Sequence, residues 1–261
     1  CGQFNSSRTE IDYSKIIEET DQIISLTKRT QGLQGLSIAL VNDEGIIWSR
    51  GYGRRNLAPQ KKALPQTQYR ASLLTKSFTA TAIMILVDRG QVELDAPISK
   101  YLPDLTIDNP YETPITVRDL LSHRSGLRKN ILTAEGRSLA SIPASLEEEE
   151  LLFKPGSEFS YSNVGYGLLG LIIEQVSGQG YEEFMREEIF MPLEMETTCF
   201  KVDEANKQKL AAGYFISPIR DEEKVRELIL QNEYKDLEFI EHGSGVVPIL
   251  AERNLPAEGL I

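Results

Sequence analysis

The chain has 261 residues, 41% hydrophobic and 26% charged, a composition that fits one large globular domain or two small ones and excludes bulk disorder. A formal net charge of −11 argues against a nucleic-acid partner, because neutralising phosphates requires Lys and Arg clustered on one face. No run of about 18 apolar residues is present, so no helical span of a bilayer is predicted.

The first residues, Cys1-Gly2-Gln3-Phe4-Asn5-Ser6-Ser7, are a cysteine followed by polar residues. They have the form of a bacterial lipoprotein after signal-peptide removal, with Cys1 as the lipidated residue and 1–10 as a tether. An arbitrary boundary falling at a cysteine is the alternative. The lipoprotein reading makes the protein extracytoplasmic and membrane-anchored. Cys199, the other cysteine, stands beside Phe200 and reads as a small core residue with no redox or metal role.

From Ile11 to Leu26, Ile16, Ile23 and Ile24, flanked by Tyr13 and Ile17, recur at helical spacing on a charged background, which predicts an amphipathic helix. Leu36–Val41 and Ile46–Arg50 flank the turn residues Asn42-Asp43-Glu44-Gly45 and predict a β-hairpin. The short basic patches Arg54-Arg55 and Lys61-Lys62 read as solvated loop charge.

Residues 72–89 are apolar around most of a helical circumference and end at Gly90, the pattern of a helix in the middle of a protein. Thr116, three residues before Asp119, predicts a capping box opening a short helix that runs into Ser122-His123-Arg124-Ser125-Gly126-Leu127. Glu147 to Glu150 could form a cation site, but the stronger expectation is a helical first turn whose acids oppose the dipole. Lys154-Pro155-Gly156 breaks that helix. Val164–Val176 predicts a second buried helix closed by Gly178 and N-capped by Asn163. Residues 181–190 predict a charged helix ending before Pro192, a further charged helix is expected near 220–230, and 242–259 reads as turn-rich.

Several segments in this order carry a family likeness. They are the Ser and Lys of Tyr69-Arg70-Ala71-Ser72-Leu73-Leu74-Thr75-Lys76-Ser77-Phe78, Leu120–Leu127, Pro155-Gly156, Tyr161-Ser162-Asn163, Gly165-Tyr166, Leu169-Gly170, and Pro192-Leu193 with Met195 and Thr198. Together, over residues 36–200, they resemble the serine β-lactamase and penicillin-binding-protein family, in its class C β-lactamase, D-alanyl-D-alanine carboxypeptidase and esterase branch.

The resemblance implies an α/β (α+β) β-lactamase/transpeptidase-like fold, an antiparallel sheet flanked by helices plus a mostly helical subdomain. It divides the chain into the tether 1–10 and one domain 11–261, with a helix and first hairpin at 11–60, the motif-bearing helical part at 61–200 and a variable region at 201–261. It implies acyl-enzyme hydrolysis of an amide, β-lactam or ester, a small-molecule or cell-wall peptide as substrate, and no cofactor. Ser72 would be the nucleophile and Lys76 the group that activates it. Tyr161 would be base and proton donor, and Asn163 would hold Lys76 and the substrate amide. His123 would serve the loop backbone rather than act as a base, and two His without a Cys pair assemble no zinc site.

Two features depart from the family pattern. Counting three residues back from Lys76, or three forward from Arg70, reaches Leu73, not Ser72. A separation of four still leaves both side chains on one helix face, at an axial offset larger by about 1.5 Å. The family's third box, Lys or His, any residue, then Gly, has its nearest text at Glu241-His242-Gly243-Ser244-Gly245, with Ser244 in the Gly position, and 255–260 resembles a segment that precedes that box. The expectation is that the C-terminal strands and helix are lacking, which would leave Leu36–Val41 as an unpaired edge. A non-catalytic binding or scaffold relative, or a truncated product, is the alternative to the hydrolase, and the oligomeric state is not encoded in any of these motifs.

Overall fold

The computed structural model describes residues 11–57, 59–129, 139–146, 149–202, 204–213, 237–242 and 245–250. They fall into two compact units, one within 1–70 and 205–253 and the other within 71–204. The predicted tether lies outside the described residues, as do the charged helix expected near 220–230 and the segment 255–260.

The first unit opens with α1 (Ser14–Thr30). The helix is predicted correctly but its inward face differs, since Ile16, Ile23 and Leu26 are exposed while Ile17, Asp21, Ile24 and Lys28 are half-buried. Asp21 anchors that face: its carboxylate accepts from Arg50 Nη1 at 2.5 Å and from the Tyr52 hydroxyl at 2.6 Å.

The expected hairpin forms as β1 (Gly35–Asn42) and β2 (Gly45–Asn56), antiparallel and closed at Asn42 opposite Gly45. Gly45 at φ +130° supplies the backbone that the tight connection needs. The sheet order is β1-β2-β3, with β3 being Lys61–Lys62, so among the described strands β1 pairs with β2 alone. The two basic patches are therefore strand residues, not loop charge, with Arg54 opposite Lys62. Arg55 leaves solvent to donate from Nη1 to the carbonyls of Gln208 and Leu210.

Where 242–259 was expected to be turn-rich, β5 (Gly245–Leu250) is a strand that pairs antiparallel with β4 (Leu237–His242). Pro248 sits in β5 opposite Phe239, and a proline inside a run argues against a strand when only the sequence is read.

The second unit is helical. A 3₁₀ turn at Ser72–Leu74 leads into α2 (Thr75–Asp88), and Gly90 follows its end at φ +69° as expected. The capping box at α3 (Val117–Leu121) is present: Thr116 Oγ1 accepts from the Asp119 N–H at 3.2 Å, and the Thr116 N–H donates to Asp119 Oδ2 at 3.0 Å. Among the described residues, 149–153 are not helical, where a helix was predicted to run on from the four acids. Instead α4 (Ile142–Leu146) precedes them, Glu149 pairs with Arg128 at 2.5 Å, and Glu150 makes an isolated parallel bridge to Asp108. Leu146 and Leu151 are both buried in the core, and the Glu149 N–H donates back to the Leu146 carbonyl at 3.1 Å.

The α5 helix (Asn163–Ser177) crosses the centre of this unit and closes at Gly178 in the left-handed region, φ +70°. Leu168, Leu169, Ile172 and Ile173 of α5 are fully buried, as are Ile83 and Leu86 of α2, and each contributes about 1.5–3 kcal/mol of apolar burial. The charged segment after it begins as α6 (Tyr181–Met185) and continues as a π-helical turn to Phe190. Cys199 is exposed, contrary to expectation, because the adjacent Phe200 takes the inward place against Tyr181 and Phe190. A short α7 (Glu204–Lys207) follows.

Candidate active site

Lys76 is the second residue of α2 and one of four buried polar or charged side chains among the described residues, at 8% exposure. Its Nζ donates to Asn163 Oδ1 at 2.7 Å and lies 5.3 Å from the centroid of the Tyr161 ring and 5.1 Å from that of Tyr166. A carbonyl oxygen and two π faces favour an ammonium here. Desolvation opposes them and wins, so burial lowers the Lys76 pKa from 10.5 to about 8.

Asn163 does not cap the helix, because the cap falls one residue earlier than expected. Ser162 is the N-cap: its backbone is extended, with φ −131° and ψ 119°, and its Oγ accepts from the Gly165 N–H at 3.0 Å. The same hydroxyl donates to the Arg128 carbonyl at 2.8 Å. Asn163, now at the first helical position, turns its amide oxygen to Lys76. Three residues on, Tyr166 lies on the same face of α5 and brings its ring to Lys76 while its hydroxyl donates to the Leu121 carbonyl at 3.0 Å. Tyr166 belongs to the segments that carry the family likeness, and its i,i+3 spacing from Asn163 is readable in the sequence.

Tyr161 is half-buried, and its hydroxyl is fully buried with no hydrogen-bond partner among the described residues. Burial pushes its pKa up from 10.0, so the phenol is protonated at neutral pH. A buried hydroxyl left unbonded costs about 1–3 kcal/mol, which a ligand group at that point recovers.

His123, in the loop 122–129, faces the segment 159–163. Its Nδ1 accepts from the Ser162 N–H at 3.1 Å, in agreement with the expected backbone-serving role. Burial first, then the positive charge of Lys76, lower its pKa from 6.5.

Ser72 opens the 3₁₀ turn, exposed and with φ +48°, a backbone region that non-glycine residues seldom adopt. Leu73 follows at 56% exposure, three residues before Lys76. The structure thus brings together Lys76, Tyr161 and Asn163. Ser72 lies on the lead-in to the same helix, where the hydroxyls of Ser77 and Thr79 are engaged, Ser77 with the Leu74 carbonyl at 2.6 Å and Thr79 with the Tyr181 hydroxyl at 2.8 Å.

A buried amine of depressed pKa, an amide that can both accept and donate, and an unbonded phenol form a set of groups able to move protons at neutral pH. A family model described as Beta-lactamase matches residues 15–249. Protein flp of Staphylococcus aureus is 32% identical over 203 residues, 76% of this chain, and the chain spans 41% of that protein's length. The octameric penicillin-binding protein homologue from Pyrococcus abyssi is 32% identical with a TM-score of 0.69, over 79% of this chain and 49% of that one. EstCE1, described as a hydrolase with promiscuous acyltransferase activity, is 25% identical with a TM-score of 0.70, over 94% of this chain and 68% of that one.

Proposed function

The chain belongs to the beta-lactamase family, and from that premise we propose that it is a serine-hydrolase-type protein acting on an amide, β-lactam or ester through an acyl-enzyme at Ser72. The observation that carries this reading is the buried Lys76, held on Asn163 beside the unbonded hydroxyl of Tyr161. Acylation requires that the Ser72 Oγ–H proton pass to the Lys76 amine as Oγ bonds to the carbonyl carbon. The carbonyl π electrons move to its oxygen and return as the bond to the leaving nitrogen or oxygen breaks. The leaving group takes the Tyr161 proton, and Tyr161 recovers one from the Lys76 ammonium. Water then attacks the Ser72 ester, releasing the carboxylic acid and restoring the serine hydroxyl. With the phenol pushed up and the amine brought down, Lys76 rather than Tyr161 is the acceptor of the first proton.

The strained backbone at Ser72 supports the assignment, since strain of this kind, of order 1–3 kcal/mol, collects at functional sites. The printed descriptions of the similar proteins, a penicillin-binding protein homologue and a hydrolase with acyltransferase activity, support an acyl-transfer substrate class.

Leu73 favours a second reading. It occupies the position three residues before Lys76, and among the described residues Ser72 makes no hydrogen bond to Tyr161. In that reading the protein binds acyl ligands without being acylated. Intact-mass spectrometry after incubation with a fluorescent penicillin and with p-nitrophenyl acetate separates the two. The hydrolase reading expects an adduct in the wild type that is lost in Ser72→Gly, a substitution compatible with φ +48°. An unlabelled wild type together with a labelled Leu73→Ser overturns it in favour of the binding protein.

A further inference from the structure

His123 is held from several sides in a conformation that costs energy. Its φ is +57°, a left-handed region that few non-glycine residues enter, although His does so more often than most. Its carbonyl accepts from the Ser160 N–H at 2.8 Å, and its Nδ1 accepts from the Ser162 N–H at 3.1 Å. The ring packs against Tyr161 with centroids 4.5 Å apart, against Tyr166 at 5.0 Å and against Phe159 edge-on at 5.9 Å. One residue therefore makes both a main-chain and a side-chain bond to the three-residue stretch that presents Tyr161 and leads into Asn163.

Neighbouring bonds run the same way. The Gly156 N–H donates to the Arg124 carbonyl at 2.8 Å, and the Asn163 N–H to the Lys129 carbonyl at 2.8 Å. The loop 122–129 is thus a template along which 156–163 is laid. His123 is the only member of the template that bonds through a titratable ring among the described residues, and a backbone conformation held against its own preference points to function rather than to packing alone.

We propose that His123 is a positioning residue: its neutral imidazole, with the proton on Nε2, holds the Ser162 N–H and so keeps Tyr161 and Asn163 against Lys76, and protonating the ring releases them. The proposal rests on the reading of Tyr161, Asn163 and Lys76 as the working site. A protonated Nδ1 is a donor facing another donor, so the bond to Ser162 is lost and a repulsion replaces it. The groups facing the ring are Lys76 on α2, Tyr166 on α5, and Tyr161 on the held segment. Only the Lys76 charge acts on the ring at neutral pH, and it opposes protonation together with burial. Both place the release on the acid side of 6.5, where the ring of an exposed histidine would already be half charged.

The test needs no turnover. In the ¹⁵N-labelled 261-residue protein, the Ser162 amide signal is followed from pH 4.5 to 8 beside the His123 ring proton. Lys76 is titrated by ¹³C NMR after reductive methylation. We expect the Ser162 amide to move with the His123 titration, at a midpoint below 6.5. His123→Phe keeps the ring and removes the acceptor, and it should shift the Lys76 midpoint by at least half a unit from about 8 towards 10.5 as water reaches the amine. His123→Asn tolerates the left-handed backbone and retains an acceptor, and it should restore that midpoint. A Ser162 amide that stays flat through the His123 titration overturns the proposal, as does a folded His123→Phe protein whose Lys76 titrates as in the wild type. If His123→Phe does not fold, the wild-type titration alone decides. Failure of covalent labelling leaves these readouts untouched and counts only against acylation.

Discussion

Lys76 Nζ and Asn163 Oδ1 lie 2.7 Å apart although 87 residues separate them along the chain. The bond joins the first turns of the two helices that form the centre of the second unit, α2 and α5. It couples the site to the core, because neither helix can shift without lengthening it. Replacing Asn163 by Ala leaves a buried ammonium short of an acceptor and should cost about 1–3 kcal/mol in urea unfolding. Replacing it by Asp sets an opposite charge beside the amine. The Lys76 midpoint should then rise above about 8, as read by ¹³C NMR of the methylated lysine. A midpoint unchanged in Asn163→Asp would show that the pair is not formed in solution.

Lys76 also imposes a pH dependence on stability. Its pKa is about 8 folded and 10.5 in the exposed reference, so between those values the unfolded chain binds the proton that the folded chain has released. Stability therefore rises with pH across that window, by at most roughly 3 kcal/mol and by less to the extent that solvent screens the amine. Lys76→Met removes the titration and the desolvated charge together. Urea midpoints of wild type and Lys76→Met, measured at pH 7 and at pH 10, should converge at the higher pH, with the variant more stable at pH 7. Parallel midpoints at the two pH values would mean that Lys76 keeps an ordinary pKa.

Much of this site was written in local patterns. The hairpin at 35–56, the capping box at Thr116 and Asp119, the two apolar helices with Gly90 and Gly178 behind them, and the set Lys76, Tyr161 and Asn163 follow from residue spacing and a family likeness. What escaped depends on competition between neighbours. Ser162 and Asn163 are both good caps, and the choice was made by the Arg128 carbonyl and Lys76, which draw the two side chains in different directions. The acids at 147–150 look like a helix start, but 149–153 are not helical, and Leu146 and Leu151 are both buried in the core. Pro248 hid a strand, and Phe200 turned Cys199 outward by taking the place beside Tyr181. None of these was decided within a window of a few residues.

The cap itself can be tested. Ser162→Ala removes the acceptor for the Gly165 N–H and the donor to the Arg128 carbonyl, and should destabilise by about 1–2 kcal/mol. Ser162→Thr keeps both and should cost less than half as much. Because Asn163 is the other available cap, the alanine variant should also draw the Asn163 side chain from Lys76. That would lower the Lys76 midpoint below about 8, since the ammonium loses its carbonyl partner. Loss of stability with no change in the lysine titration would separate the cap from the site.

Gly126 closes the template loop where no side chain fits. Its φ is +82°, and a Cβ placed there would strike the Phe153 carbonyl oxygen. Gly178, at φ +70°, offers the control, because a Cβ there meets nothing within 4 Å. Gly178→Ala should cost only the left-handed conformation, about 1–2 kcal/mol. Gly126→Ala adds a clash with backbone, which cannot rotate away as a flexible side chain would, so its cost should exceed that of Gly178→Ala by a further 1 kcal/mol or more, roughly. The loop must also move away from Phe153 to admit the methyl group, lengthening the bond from the Leu152 N–H to the Gly126 carbonyl, 2.8 Å in the wild type. His123 sits three residues upstream on that loop, so the Ser162 amide signal should shift in Gly126→Ala and stay in place in Gly178→Ala. Equal urea midpoints for the two variants would remove the clash, and with it the argument that the loop is fitted to the segment it holds.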